Sequence, residues 1–405
     1  MPRPGAAHGD HSERPLGRTE GRVDALVTDG EARAAVAGVR ALGKAGLRTL
    51  VMGRRPTAPG LWSRHTTSRA LGPPSHAPEF IERIAELAAR HGPLVIHPAQ
   101  EETLDPLIEA DGRLPSEAIL PYAGPGPLRL LRDKSRLAGL AEEAGLAAPA
   151  TLAFGAAGVI AEAPPTAPCV VKSTGRSRTL EATRLIDSDD ELAVLLASLP
   201  PDERIIVQER SDGPLVGLAL VLDREGRVVA QFQQVAARLW PVGAGGSSAA
   251  VSVAPDRDLI ERTAHLLRQA GHWGLAQLQF LTTSRGPALI DVNARYYGSM
   301  PLATAAGVNL ASAWQAVALG ERLPEPAPYK VGVTYRWLEA DIGGALKTRS
   351  RAQLRSLSGR SGSGAMWASD DPLPAALMTM RVAAAPFRRR VGRFYRQRVA
   401  AARRG

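Results

Sequence analysis

Between residues 23 and 99 short apolar runs alternate with stretches of helical period, and this alternation constrains the fold more than any other feature. The runs "VDALVT" (23–28), "LRTLVMG" (47–53) and "PLVIHPA" (93–99) read as buried strands. "EARAAVAGVRALGKAG" and "HAPEFIERIAELAARHG" between them carry apolar residues at helical spacing. Strands alternating with helices build a parallel, doubly wound sheet. The spacing predicts such an α/β domain over residues 21–122. No GxGxxG follows its first strand, so a dinucleotide site is not expected there.

From residue 124 the pattern changes. "GPGPLRLLRDKSRLAGLAEEAGLAAPATLAF" (124–154) reads as a Pro/Gly hinge, a helix with Lys134 near its start, and a strand. "APCVVKSTGRSRTLEATRLID" (167–187) reads as strand, polar loop and strand, and "ERIIVQERSDG" (203–213) as a strand ending in a polar linker. Two hairpins follow, turned at "DREG" and "SRG", with the glycine-rich "GAGGSS" (243–248) and a helix between them. "TAAGVNLASAWQAVALG" (304–320) reads as one closing helix. The expected second domain spans 123–322, with an extension over 323–380. Residues 1–20 are polar, rich in Pro and Gly and without period, and are expected to be disordered.

The net charge is +10, but residues 381–405 alone hold nine arginines and no acid, leaving about +1 for the rest. The basicity thus belongs to a tail, and no nucleic-acid partner is expected for the fold. In that tail Phe387, Val391, Phe394, Tyr395 and Val399 recur at helical spacing. Weak contact with an anionic surface and a solvated extension both remain open for it. Cys169 is the single cysteine, which rules out an internal disulfide and every CxxC metal pattern. With no signal-like apolar core at the start and no run near the roughly 18 apolar residues of a membrane span, a cytoplasmic protein is expected.

Lysine is scarce: five of the 50 basic residues, at 44, 134, 172, 330 and 347. Lys172 ends the apolar run "CVVK", and Lys134 lies in "RDKSRL". A compact ammonium on each of two converging elements suits phosphate oxygens, whereas singly each is an ordinary surface lysine. "TGRSRT" (174–179) offers backbone amides that could fold over the same phosphates as a lid. "VQERSDG" offers backbone groups to an adenine edge and Glu209 or Asp212 to a ribose. In "ALIDVNARYYGS" Asp291, Asn293 and Arg295 alternate, so in a strand they share one face. Asp291 and Asn293, with Gln279 from "LQF" on the neighbouring strand, are hard oxygen ligands of the kind Mg²⁺ takes. His97, Gln100, Glu101 and Glu102 follow a parallel strand, where ligands of open sheets bind; a solvated turn explains them equally well.

Taken in order, D-K-S, V-V-K, V-Q-E, a Gly-rich loop, L-Q-F and I-D-V-N-A-R resemble the ATP-grasp superfamily, and most of all its predicted carboxylate–amine ligase group. The resemblance runs from about residue 23 to 320, with an echo in "SDDPLPA" (369–375). It implies an ATP-grasp fold of two α+β subdomains that clasp ATP behind the N-terminal domain. Lys134 and Lys172 would contact the phosphates. Gln208, Glu209, Arg210 and Asp212 would border adenine and ribose. Asp291, Asn293 and Gln279 would hold Mg²⁺, or Mn²⁺ in its place. Arg295 would steady the γ-phosphate or an acyl phosphate, and Arg238 would face the same group. Two departures from the group's pattern matter: Gln279 stands where a glutamate is usual, and Asp291 is one methylene shorter than the usual glutamate.

The implied activity is an ADP-forming ligase that joins a small-molecule carboxylate to an amine, with homo-oligomers open. Two alternatives stand beside it. One is an ATP-dependent phosphotransferase or activating enzyme of natural-product biosynthesis, acting on an enol or hydroxyl. The other is a non-catalytic module with a basic tail.

Overall fold

Continuous apolar runs become strands buried on both faces in the first of three sheets. The computed structural model describes residues 22–110, 112–174, 180, 183–356 and 362–381. The N-terminal twenty residues, "TGRSRT" beyond Thr174 and the arginine tail beyond Arg381 lie outside the described residues. In the first sheet β1 (Ala25–Val27), β2 (Thr49–Gly53), β3 (Thr66–Leu71), β4 (Leu94–His97) and β5 (Ala118–Ile119) are parallel, in the order β3-β2-β1-β4-β5. Every residue of β1, β2 and β4 is buried, as expected of strands covered by helices on both faces. The helices are α1 (Arg33–Lys44), α2 (Glu79–His91) and α3 (Glu101–Glu109). Strand β3, "TTSRAL", has no apolar signature because it is a half-exposed edge.

The single helix expected after residue 124 is two helices, α4 (Pro125–Arg132) and α5 (Leu137–Glu143). Asp133 breaks them: its Oδ1 accepts the Ser135 amide at 3.0 Å and the Ser135 hydroxyl at 2.5 Å. A side chain that captures the backbone two residues on competes with the helix ladder. Lys134 therefore sits in a turn between helices and not in the first turn of one.

The second sheet is small and antiparallel, in the order β6-β9-β7-β8: β6 (Thr151–Ala156), β7 (Cys169–Ser173), β8 (Arg184–Ile186) and β9 (Arg204–Glu209). With α6 (Ala157–Glu162) and α7 (Asp189–Ser198) it encloses a core of its own, from Cys169 and Val171 to Leu192, Ile205 and Val207.

The third sheet holds seven strands in the order β14-β13-β10-β11-β12-β15-β16. These are β10 (Leu215–Leu222), β11 (Val228–Trp240), β12 (Gly246–Ser252), β13 (Gly274–Thr283), β14 (Gly286–Asn293), β15 (Thr334–Arg336) and β16 (Ser363–Gly364). The two expected hairpins are β10–β11 and β13–β14. Part of "GAGGSS" belongs to β12, and β15 and β16 come from the chain beyond residue 322. Helix α8 (Arg257–Gln269) packs on β10 in a second core cluster of the sheet. The single closing helix is likewise two, α9 (Met300–Ala306) and α10 (Leu310–Ala318), parted at Gly307 with φ +107°. Helix α11 (Leu338–Thr348) follows β15.

One apolar cluster joins the first and third sheets, running from Ala25 and Val39 through Tyr296 and Trp314 to Phe232 and Leu275. The first domain and the large sheet thus form one body, and the small sheet is a separate lobe beside it. Among the described residues no helix is long and apolar enough to cross a membrane.

Candidate active site

Strand β7 points its last residues at the large sheet. Lys172, on β7, donates from Nζ to the carbonyl of Ile290 on β14 at 3.2 Å. Lys134, in the α4–α5 turn, donates from Nζ to the carbonyl of Ser173 at 3.4 Å. Burial pulls the Lys172 pKa down to about 8; nearby Asp291 opposes the fall and Lys134 adds to it. The two lysines and Asp291 therefore share one electrostatic neighbourhood, with the small lobe on one side and the large sheet on the other.

The β13–β14 register pairs Gln279 with Asp291 and Gln277 with Asn293, and an irregularity between Gln279 and Phe280 adjusts the face of β14. Gly217 of β10 pairs with both Gln279 and Gln234, which extends the Asp291 row across the sheet. Asn293 donates from Nδ2 to Gln277 Oε1 and to Asp291 Oδ2, each at 3.1 Å. Its Oδ1 accepts from Arg295 at 2.7 Å. Arg295 in turn donates from Nε to Glu101 at 2.9 Å, and Arg132 binds the other Glu101 oxygen and reaches Asp105 at 2.7 Å. Burial opposes ionisation of Glu101, but Arg295 and Arg132 outweigh it and hold the carboxyl below its ordinary range. The strand face of β14 is thus locked to α3 of the first domain through alternating charges.

Other expected residues lie elsewhere. Gln208 is buried within β9. Glu209 is paired with Arg285 at 2.8 Å, and Arg210 with Asp187 and Asp212, so all three carboxylates near that linker are already engaged. Arg238 does not join the Arg295 network: it grips the buried carboxylate of Asp341 on α11 at 2.5 and 2.6 Å, a partner 103 residues on that no local pattern announces. Of the run after β4, His97 is a core residue, stacked on Tyr296 and bonded to Gln315 at 2.8 Å, its pKa lowered to about 4 by burial. Gln100, Glu101 and Glu102 instead line a cleft of about 950 Å³, together with Asp29, Arg54, Arg132 and Lys134. This cleft opens at the carboxyl ends of β1 to β4, where the strand order reverses, the usual ligand position of such sheets. A second cavity of about 80 Å³ lies against Gln277 and Gln279 and is lined by Arg33, Gln234 and Tyr297.

Gln277, Arg33 and Arg132 join the site without having been singled out. Gln277 was within reach, since it lies two residues from Gln279 and shares its strand face. Among the described residues no group of three or more His, Cys, Asp or Glu side chains could hold a metal ion. The donors present are one carboxylate and amide oxygens. Among the described residues Asp291 accepts a single hydrogen bond, through Oδ2, and Oδ1 accepts none. That set fits one hard divalent cation that completes its shell with phosphate oxygens and water.

A parallel α/β domain followed by a small antiparallel lobe and a large sheet, antiparallel except at the β15–β16 edge, with lysines and an Asp-x-Asn-x-Arg strand meeting between them, is the ATP-grasp fold. A family model described as ATP-grasp in the biosynthetic pathway with Ter operon matches residues 221–341. No curated protein sequence matches the chain. Among solved structures it is similar to the biotin carboxylase domain dimer of Hydrogenobacter thermophilus 2-oxoglutarate carboxylase, in complex with MgADP, ADP and bicarbonate. That match has a TM-score of 0.59 and 16% identity, over 78% of this chain and 74% of that one. It is similar also to N5-carboxyaminoimidazole synthetase from Staphylococcus aureus, with a TM-score of 0.58 and 14% identity over 79% and 83% of the two chains. Biotin carboxylase from Campylobacter jejuni, complexed with β,γ-ATP, gives 0.59 and 13% over 77% and 74%.

Proposed function

We propose that this protein is an ATP-dependent ligase that activates a carboxylate as an acyl phosphate and joins it to an amine. The observation that carries the reading is the meeting of Lys134 and Lys172 with Asp291, Asn293 and Arg295 between the small lobe and the large sheet. Phosphoryl transfer asks a protein mainly for positioning and charge neutralisation, and this set supplies both. Lys134 and Lys172 neutralise phosphate oxygens of ATP. The β9 exit, from Gln208 through Glu209 and Arg210 to Asp212, borders adenine and ribose. Asp291, Asn293 and Gln279 would hold Mg²⁺, or Mn²⁺, which when bound offsets charge on the transferred group. Gln279 is neutral, so the donor set suits one ion better than two.

In the first step a carboxylate oxygen of the substrate attacks the γ-phosphorus, and the bond to the bridging oxygen of ADP breaks. In the second, an amine nitrogen attacks the acyl carbon, the carbon–oxygen bond to phosphate breaks, and the amine's surplus proton leaves to a base. Arg295, oriented by Asn293 and Glu101, steadies the phosphate through both steps. The cleft at the carboxyl ends of β1 to β4 has room for the second reactant. The solved structures bound to MgADP and to β,γ-ATP support the nucleotide, and those named as carboxylase and synthetase support the reaction class.

The test is ADP release with Mg²⁺ and a pooled library of amino acids and carboxylates. Wild-type protein should turn over with at least one pool, and Lys172→Met should lose about a hundredfold or more of that rate while its circular dichroism stays native. Full turnover by Lys172→Met, or none by wild type with any pool, would defeat the reading.

A further inference from the structure

Among the described residues, the cation in the cavity beside Gln279 has no counter-ion. Arg33, the first residue of α1, sends its guanidinium from the N-terminal domain into this space. It lies over the Trp337 ring at 3.3 Å from the centroid and donates to the Tyr335 hydroxyl at 3.2 Å. That hydroxyl in turn donates to the Gly298 carbonyl at 3.0 Å, so it can only accept from Arg33. Burial lowers the Arg33 pKa; Glu339 acts on it through space, and no carboxylate among the described residues reaches ion-pair distance. Arg40, Arg132, Arg238 and Arg295 each have such a partner. A desolvated charge without a partner is costly, and a ligand of opposite sign removes that cost.

The rest of the wall is neutral and polar. Tyr297, Ser247 and Ser299 line it beside Gln277 and Gln279. Gln234 donates to the Ser299 hydroxyl at 2.8 Å, while its Oε1 is unpartnered. Among the described residues no acidic side chain and no second cation line the space. Two glycines keep it open. A Cβ at Gly298 would stand 3.0 Å from the Arg33 guanidinium, and one at Gly217 would stand 3.2 Å from Gln234 and Gln277. The volume of about 80 Å³ holds roughly five water-sized groups, enough for a carboxylate and a short stem and far too small for a nucleotide.

We propose that this cavity is the subsite for the carboxylate to be activated, with Arg33 as its counter-ion. The proposal rests on the ligase reading and adds to it a place and a substrate class: a small monocarboxylate held beside Gln279, the register partner of Asp291. One positive charge among neutral donors matches a singly charged anion better than phosphate.

The test is calorimetric titration of the full chain with acetate, glycine, bicarbonate and inorganic phosphate, with Mg–ADP titrated separately. At least one of the three carboxylic species should bind wild-type protein at millimolar concentration or tighter. Arg33→Met, which keeps a stem against Trp337, should weaken that binding about ten- to a hundredfold, and Arg33→Lys should recover part of it. Gly298→Ala, whose Cβ would stand 3.0 Å from the Arg33 guanidinium, should weaken it about two- to tenfold, and it decides alone if Arg33→Met does not fold. Mg–ADP affinity should stay at the wild-type value in all three variants. No carboxylic species binding the wild type, unchanged carboxylate affinity in the folded variants, or tighter binding of phosphate than of any of them each overturns the subsite. Each does so without touching the nucleotide reading, which falls only if wild-type protein fails to bind Mg–ADP.

Discussion

Buried at the end of β7, the ammonium of Lys172 loses most of its water, and its pKa drops from 10.5 to about 8. The unfolded chain holds this proton up to about pH 10.5 and the folded chain only up to about 8, so stability rises with pH between those values. Below about pH 8 the cost of burying the charge is fully present. Lys172→Met should therefore be more stable than wild type at pH 7, on the order of 1–3 kcal/mol, with the difference shrinking as pH rises through that window. Urea unfolding at pH 7 and pH 10 measures it, and a less stable variant at pH 7 would contradict it. Phosphate oxygens favour the charged form, so nucleotide binding near pH 8.5 should take up a proton. Calorimetry in buffers of different ionisation enthalpy reads that uptake, and Lys172→Met should abolish it. At this scale the sequence is readable where residue type or spacing is unusual. Lys134 and Lys172 stand out because lysine is scarce, and Asp291, Asn293 and Arg295 because period two places them on one face. Arg33 and Arg132 do not stand out, because nothing local separates one arginine from 44 others when its partner lies tens or hundreds of residues away, and Arg238, named from the resemblance, has a partner 103 residues on that no local pattern discloses.

Two expected helices are each broken in the fold, and both breaks lie where polar residues outcompete the helix. Around Gly307 the amide of Val308 donates to the Ala303 carbonyl at 2.8 Å and that of Gly307 to Thr304 at 3.2 Å, a left-handed helix end that favours glycine. Asn309 then starts α10: its Oδ1 accepts the Ser312 amide at 3.0 Å, and its Nδ2 reaches the Ala41 carbonyl of α1 at 2.7 Å. The apolar period of residues 304–320 runs straight through this junction, so periodicity alone cannot see it; the signal is the Gly-x-Asn spacing inside it. The break turns α9 and α10 so that both pack on α1 and carry Trp314 and Leu302 into the shared core. Gly307→Ala should cost about 1 kcal/mol or more, because alanine resists a φ of +107°. Asn309→Ala should cost about 1–2 kcal/mol through the lost cap. Both are read by urea denaturation, and neither should alter Mg–ADP affinity, since neither residue borders the cleft or the small cavity. The α/β alternation and the two hairpins carry over directly from pattern to structure, because burial on both faces or on one imposes the period that reveals them.

At the scale of the whole molecule, the first domain and the large sheet share a core while the small lobe keeps its own, so the site lies at a seam between two independently packed bodies. Lys172 of β7 reaches that seam from the lobe and Lys134, in the α4–α5 turn, from the body, which suits a clasp that tightens when a polyanion supplies charge to both ammonium groups. The body itself is closed by the chain's far end. Asp371, 2% exposed, accepts Arg40 Nε at 2.8 Å, the Ser63 hydroxyl at 2.7 Å and the Arg64 amide at 2.8 Å. Arg40 also donates to the carbonyls of Met366 at 2.8 Å and Asp371 at 2.6 Å. Burial opposes ionisation of Asp371, yet the Arg64 amide, Ser63 and Arg40 outweigh it and hold the carboxyl low. "SDDPLPA" thus docks on α1 and on the loop before β3, a contact across 331 residues that no local pattern could disclose. Because the folded pKa is depressed, the clamp contributes fully above the ordinary aspartate value of 3.8 and is lost as pH falls through the lower folded value. Asp371→Asn leaves the Arg40 charge buried without its partner and should cost about 3–5 kcal/mol at pH 7. The gap to wild type should narrow at acid pH. Helix α1 carries Arg33 at its first residue and Arg40 two turns on, so a released clamp should also loosen the guanidinium that lines the small cavity. Asp371→Asn should then show earlier proteolytic cleavage after residue 350 and weaker acetate binding than wild type, with Mg–ADP binding retained. Wild-type stability and cleavage kinetics in Asp371→Asn would mean that the C-terminal segment merely lies on the body and does not hold it.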